Sequence, residues 1–194
     1  EMRKGRFVEI PALHQTALFR TPAVLEVTGG RYRDGPAVEG ADDGLDVPVD
    51  YHFWLSFFHQ GRRCGKVGGS ELFGWRQHPR QHTRTHGRLS IENLRRIKVH
   101  FLLRPDQGPA HAQHVQVWSV GKTLEDWAAE LKAYDPPPPS VTAMAWKPTN
   151  QPAPPVSSSG PRPVRLFAFG SHKIRQRVRL LVKDWDDDWD WFVA

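Results

Sequence analysis

Apolar and basic residues alternate along two segments of the chain, and this alternation constrains the fold more than any other feature. In residues 96–103 every second side chain is apolar, and residues 174–183 repeat the pattern with Gln176 as the exception. Because successive side chains of a strand point to opposite faces of a sheet, both segments are predicted as strands with one apolar and one basic face.

Further segments have the β-branched and aromatic composition that is typical of strands, and turn residues separate them. They are residues 23–27, 52–58, 114–120, 141–146 and 164–169. One amphipathic helix is predicted over residues 123–135, because apolar residues recur at helical spacing from Leu124 to Leu131 and Pro136 ends the pattern. The predicted fold class is therefore mainly β, an antiparallel sheet that forms a sandwich or a barrel, with one helix.

Proline marks the boundaries of the predicted domain. Ten of the 17 prolines lie between Pro136 and Pro163, which is typical of a long surface loop or an extended linker. We predict a single β-rich domain over residues 1–183 that contains this proline-rich segment at 136–163. An acidic and aromatic tail follows it at residues 184–194.

Charge is distributed in blocks along the 194 residues, although the net charge is only +6. Residues 51–109 carry eleven basic and three acidic side chains, and residues 161–183 carry seven basic and no acidic ones. The last eleven residues hold five aspartates. Local positive potential of this kind favours polyanionic partners.

A sheet face that mixes basic and aromatic side chains is suited to single-stranded nucleic acid. Lysine and arginine neutralise phosphates, and exposed rings stack on bases. The residues predicted to bind are Arg96, Lys98, His100, Trp118, Arg165, Phe167, Arg175, Arg177 and Arg179. Two other interpretations remain open: an ordinary solvated sheet face, and pairing of the basic residues with the chain's own aspartates.

The last eleven residues combine five aspartates with three tryptophans and end in Phe192-Val193-Ala194. This segment resembles the C-terminal tails of bacterial and phage single-stranded-DNA-binding proteins, which more often end on phenylalanine. The resemblance implies a tail that competes with nucleic acid for the basic groove and recruits a partner protein. The alternative is that the tryptophans pack into the core, because three large rings are costly to expose together.

Catalytic and metal-binding patterns are weak in this sequence. His82, His86 and Lys98 are candidates for general acid–base chemistry on a phosphodiester, without diagnostic spacing. The single cysteine, Cys64, excludes a multi-cysteine zinc module, and the aspartates at 42–50 are interpreted as a solvated loop. No metal site and no cofactor are predicted.

We therefore predict a protein that binds single-stranded RNA or DNA without covalent chemistry. The alternatives are a self-associating subunit of a nucleoprotein assembly or viral coat, and a small metal-independent nuclease. No apolar run approaches the roughly 20 residues of a membrane helix, so no membrane partner is expected. The unpaired Cys64 and the absence of an apolar core after the first residues indicate an intracellular protein.

Overall fold

Five α-helices and four strands make up the regular structure of the computed structural model, which describes residues 5–29, 48–65, 67–69, 73–74, 78, 80–81, 86–106, 108–149, 152–154 and 160–194. The helices are α1 (Thr21–Thr28), α2 (Val49–His59), α3 (Ile91–Leu103), α4 (Gly121–Ala133) and α5 (His172–Leu181). The strands are β1 (His114–Ser119), β2 (Ser140–Ala145), β3 (Val164–Ala168) and β4 (Asp190–Val193).

All four strands are parallel and lie in one sheet in the order β2-β1-β3-β4. The prediction of an antiparallel sandwich or barrel is therefore wrong. The chain is an α/β fold in which a helix connects β1 to β2 and another connects β3 to β4. Parallel neighbours require such crossover connections, whereas antiparallel strands need only a short turn.

The error in fold class comes from four segments that were predicted as strands and are helical. Residues 96–103 lie in α3, residues 174–181 lie in α5, and the segments 23–27 and 52–58 lie in α1 and α2. The prediction is confirmed, within one or two residues at each end, for β1, β2, β3 and α4.

The chain divides into two compact units. The first, called the sheet unit below, comprises Glu1–Glu9 and Lys98–Ala194, and the second comprises Ile10–Ile97. The boundary falls within α3. The second unit is built around an aromatic cluster in which Phe53, Trp54 and Phe57 of α2 pack against Phe19.

Two crossovers leave the middle of the sheet in opposite directions. From β1 the chain passes through α4 to β2 on one side, and from β3 it passes through α5 to β4 on the other. Because parallel crossovers are right-handed, the two helices cover opposite faces of the sheet. The helix α4 contacts β1, β2 and β3. The helix on each face of the sheet therefore determines which side chains of that face are accessible to solvent.

One row of large side chains runs across the four strands on the face that α5 covers. The register places Met144, Trp118, Phe167 and Phe192 side by side. Val178 and Val182, from α5 and its C-terminal end, pack on the same cluster, as do Trp146 and Phe169. Burial of each such side chain contributes roughly 1.5–3 kcal/mol, so this layer is a major source of the unit's stability.

The segment that was predicted as a tail supplies β4. Trp191 is buried and packs edge-on against Phe7, with 5.7 Å between ring centroids. The backbone N–H of Ala194 donates to the carbonyl of Phe7 over 3.1 Å. Trp191 therefore packs into the core, as the alternative interpretation of the tail predicts. Strand β4 forms one edge of the sheet.

None of the helices within the described ranges combines the length and the apolar character that a membrane-spanning segment requires.

Candidate nucleic-acid interface

The basic and aromatic sheet face that the sequence predicted does not form. Three of its nine residues, Trp118, Arg165 and Phe167, lie on strands, and the other six lie in helices α3 and α5. Trp118 is 1% exposed and Phe167 is 0% exposed, because α5 packs over both rings. Trp118 and Phe167 share one face of the sheet, as predicted, but this face does not point outward, because the segment predicted as a strand at 174–183 supplies most of the helix that covers it. Neither ring has a free face on which a base can stack.

Arg165 is also buried, at 1% exposure, and it serves as a structural ion-pair partner. Its guanidinium donates to both carboxylate oxygens of Asp190 at 2.6 and 2.7 Å and to Asp184 at 3.0 and 3.1 Å. Burial would lower the pKa of Arg165, but the two carboxylates outweigh it and raise the pKa above its usual range. Arg165 therefore stays charged and fully engaged within the chain.

Two further basic side chains are paired with the C-terminal aspartates. Arg162 contacts Asp186 at 3.1 Å, and Arg179 donates to Asp187 at 2.9 Å. The guanidinium of Arg179 also lies 4.5 Å from the ring centroid of Trp185. The interpretation in which the chain's own aspartates neutralise the basic residues thus describes Arg162, Arg165 and Arg179.

Arg175 is half-buried and turns back onto the loop that precedes α5. Its guanidinium donates to the carbonyl of Phe169 over 3.3 Å and to that of Gly170. Both acceptors are backbone carbonyls of the loop that leads into α5, so Arg175 has a local structural role at the start of this helix.

The three candidates from α3 are separated by the unit boundary. Lys98 is buried, and its ammonium donates to the carbonyls of Val8 and Ala194. His100 is half-buried, with its Nδ1 3.3 Å from the hydroxyl of Tyr134. Arg96 is exposed but belongs to the second unit, so it is not part of a site on the sheet unit.

Arg177 alone among the nine candidates is both exposed on the sheet unit and without an ion pair to any described residue. It lies on α5 together with three other exposed residues at helical spacing, namely Lys173, Gln176 and Leu180. We call these four residues the α5 face. They span about 100° of the helix surface and about 10 Å along its axis.

The charge around the α5 face is positive at the start of the helix and negative beyond its end. His172 and Lys173 occupy the first turn, which contains no acidic residue, and no side chain caps the helix N-terminus. Lysine there is unfavourable next to the positive end of the helix dipole unless an anion is near. Exposed Lys183 extends the positive surface, and Asp184 to Asp188 follow it.

Sequence reasoning missed Lys173, Gln176 and Leu180 as members of a common surface. The signal was present in their spacing, since residues 173, 176, 177 and 180 repeat at intervals of three and four rather than two.

The other chemical candidates find no support in the described residues. No group of three or more histidine, cysteine or acidic side chains there is arranged to hold a metal ion. Cys64 is half-buried, and burial raises the pKa of its thiol, which disfavours the reactive thiolate. His82, one of the nuclease candidates, lies outside the described residues, and Lys98 is committed to backbone carbonyls.

No family model, no curated protein and no solved structure matches this chain.

Proposed function

We propose that this protein binds nucleic acid without covalent chemistry, through the α5 face rather than through the sheet. The observation that carries the proposal is the division of the basic residues in 161–183. Arg162, Arg165 and Arg179 are paired with aspartates, whereas Lys173 and Arg177 have no ion pair within the described ranges. Unpaired cations on one exposed helix face are available to phosphates.

Electrostatics supports the same surface. Residues 161–183 contain no acidic side chain, so nothing in that stretch of sequence offsets Lys173, Arg177 and Lys183. Binding through phosphate contacts releases counterions, and the binding constant then falls with salt in proportion to the number of contacts. Salt dependence is therefore the most direct test of the proposal.

The experiment is a salt titration of binding to fluorescently labelled 20-nucleotide DNA and RNA, single-stranded and duplex. The double variant Lys173→Ala/Arg177→Ala is expected to weaken binding and to flatten the slope of log K against log[salt] by about 1.4–1.8, for two lost contacts. Both substitutions are on an exposed helix surface, where alanine is a good helix former, so the fold is expected to persist.

The matched control is Lys122→Ala/Lys132→Ala. It removes the same charge from exposed positions of α4, which covers the opposite face of the sheet; of the two, Lys122 is paired with Asp126 at 3.2 Å. An unchanged slope in this control and a flatter slope in the α5 variant support the proposal. No binding at low salt, or equal effects of the two variants, contradicts it.

Three remaining predictions belong to this proposal. Self-association into a nucleoprotein assembly remains the alternative, and sedimentation of the protein with and without nucleic acid tests it. We also propose an intracellular setting, because a single cysteine leaves the chain without an internal disulfide. A protein partner at residues 184–194 remains a prediction, with Trp191 buried and Trp185 half-buried in the fold.

A further inference from the structure

We infer that the nucleic acid is B-form duplex DNA and that α5 enters its major groove with Lys173, Gln176, Arg177 and Leu180 facing the base edges. The inference rests on the proposed function and specifies the partner of the same surface. Three observations carry it: where the aromatic rings are, how far α5 is exposed, and which side chains form its face.

No aromatic side chain among the described residues of the sheet unit is fully exposed. The rings of Trp118, Trp146, Phe167 and Phe169 are all buried beneath α5. Among the described residues of this unit, the exposed large apolar side chains are Val120, Ile174 and Leu180, and none is aromatic. General binding of single strands depends on stacking between bases and aromatic rings. The half-buried rings are those of Tyr134, Trp185, Trp189 and Phe192. Trp185 already stacks on Phe167 and Phe192 and has Arg179 over its ring, so the described residues of the sheet unit present no fully exposed ring to a single strand.

The helix α5 is exposed over most of its circumference. Seven of its ten residues are exposed and only Val178 is buried, whereas a helix that covers a sheet ordinarily buries a broad stripe. A helix with its side chains is about 10–12 Å wide, and the major groove of B-DNA is about 12 Å wide. The major groove of A-form RNA is too narrow and deep for such a helix.

The side chains of the α5 face match the chemistry of base edges in the major groove. Lysine and arginine donate to O6 and N7 of guanine, and glutamine forms a bidentate pair with adenine. Leu180, at 74% exposure, is an apolar contact for the methyl group of thymine. The face is about 10 Å long, which corresponds to about three base pairs.

The charge asymmetry along α5 sets the direction of docking. His172, Lys173 and the backbone N–H groups of the first turn, which no side chain caps, lie at the N-terminal end, where they favour phosphate oxygens. Asp188 follows the C-terminal end, has no ion pair among the described residues and repels the DNA backbone there, whereas Asp186 and Asp187 are paired with arginines. The N-terminal end of α5 therefore lies closer to the DNA than its C-terminal end.

The test compares binding of 16-base-pair duplex DNA, the matching single strand and duplex RNA of the same sequence, by fluorescence anisotropy. Duplex DNA is expected to bind at least about tenfold more tightly than either competitor. Selection from a random duplex library then identifies a preferred site. Arg177→Ala is expected to lower affinity for that site by about 5-fold to 150-fold and to relax preference at one base pair.

Gln176→Ala provides a change of base contact without a change of charge, and Lys122→Ala on α4 is the control that leaves site preference unaltered. Single strands or duplex RNA bound as tightly as duplex DNA overturn the inference and leave the proposed function standing. Binding to duplex DNA with the same base preference in the wild type and in both α5 variants also overturns it. Absence of binding to all three nucleic acids overturns the inference and the proposed function together.

Discussion

The two carboxylates that hold Arg165 differ in burial, and this difference predicts very different costs of removing them. Asp190 is 1% exposed and accepts two hydrogen bonds from Arg165, whereas the side chain of Asp184 is 60% exposed. Removing one member of a buried ion pair costs about 3–5 kcal/mol, and removing an exposed partner costs about 0–1 kcal/mol. Asp190→Asn is therefore expected to destabilise the sheet unit far more than Asp184→Asn.

The cost at Asp190 has a second source besides the lost charge. Its Oδ2 also accepts the backbone N–H of Asp186 over 2.7 Å, so this carboxylate organises the turn that precedes β4. An asparagine amide offers one acceptor oxygen and places an NH₂ group against the donors of Arg165. At least one buried donor of the guanidinium is then left without a partner.

Urea unfolding followed by tryptophan fluorescence measures both variants. Six of the eight tryptophans lie in the sheet unit, so the signal reports mainly on it. With a slope of about 2 kcal/mol per molar urea, Asp190→Asn lowers the midpoint by about 1.5–2.5 M and Asp184→Asn by less than about 0.5 M. Equal midpoint shifts for the two variants would contradict this expectation, because the burial of the carboxylate would then have no effect on the cost of removing it.

Two further predictions concern the same unit. Burial would raise the pKa of Asp184, but hydrogen bonds and the charge of Arg165 outweigh it, so the pKa lies below its usual value. The stability that ionised Asp184 contributes at neutral pH is therefore lost as the pH falls through that lowered pKa. Acid-unfolding curves of the wild type and of Asp184→Asn are expected to converge there. In Gly108→Ala the new Cβ would lie 2.5 Å from the carbonyl oxygen of Leu102, so thermal unfolding is expected to show that the free energy of unfolding falls by about 1–3 kcal/mol. In the control Gly170→Ala nothing lies within 4 Å of the new Cβ, so the free energy of unfolding is expected to change little.

The part of the fold that local pattern predicts is the part with unambiguous periodicity. Strands β1 and β3 and helix α4 were found because their apolar residues fit one period only. In α5 the apolar positions 174, 178 and 182 fit both an alternation of two and a spacing of four. Gln176 interrupts the alternation but not the spacing of four, and it is exposed on the helix, so this residue favoured a helix over a strand.

The same ambiguity led to a predicted site on the sheet face that α5 covers. Taking α5 for a strand left no helix to cover the second face of the sheet, so Trp118 and Phe167 were assigned to an open surface. Trp118 and Phe167 do share one face, opposite to Val117 and Leu166, but the basic residues predicted beside them at 96–100 and 175–179 lie in helices. The pairing of Arg165 with Asp190 joins residues 25 positions apart, and sequence spacing carries no information on such a contact.

Hydrogen exchange measured by mass spectrometry, with and without a 16-base-pair DNA duplex, locates the surface that nucleic acid covers. We expect slower exchange on binding in peptides that cover residues 172–183 and unchanged exchange in peptides of α4. Protection centred on α4, or no change anywhere in the sheet unit at saturating duplex, would contradict the claim that the α5 face is the nucleic-acid interface.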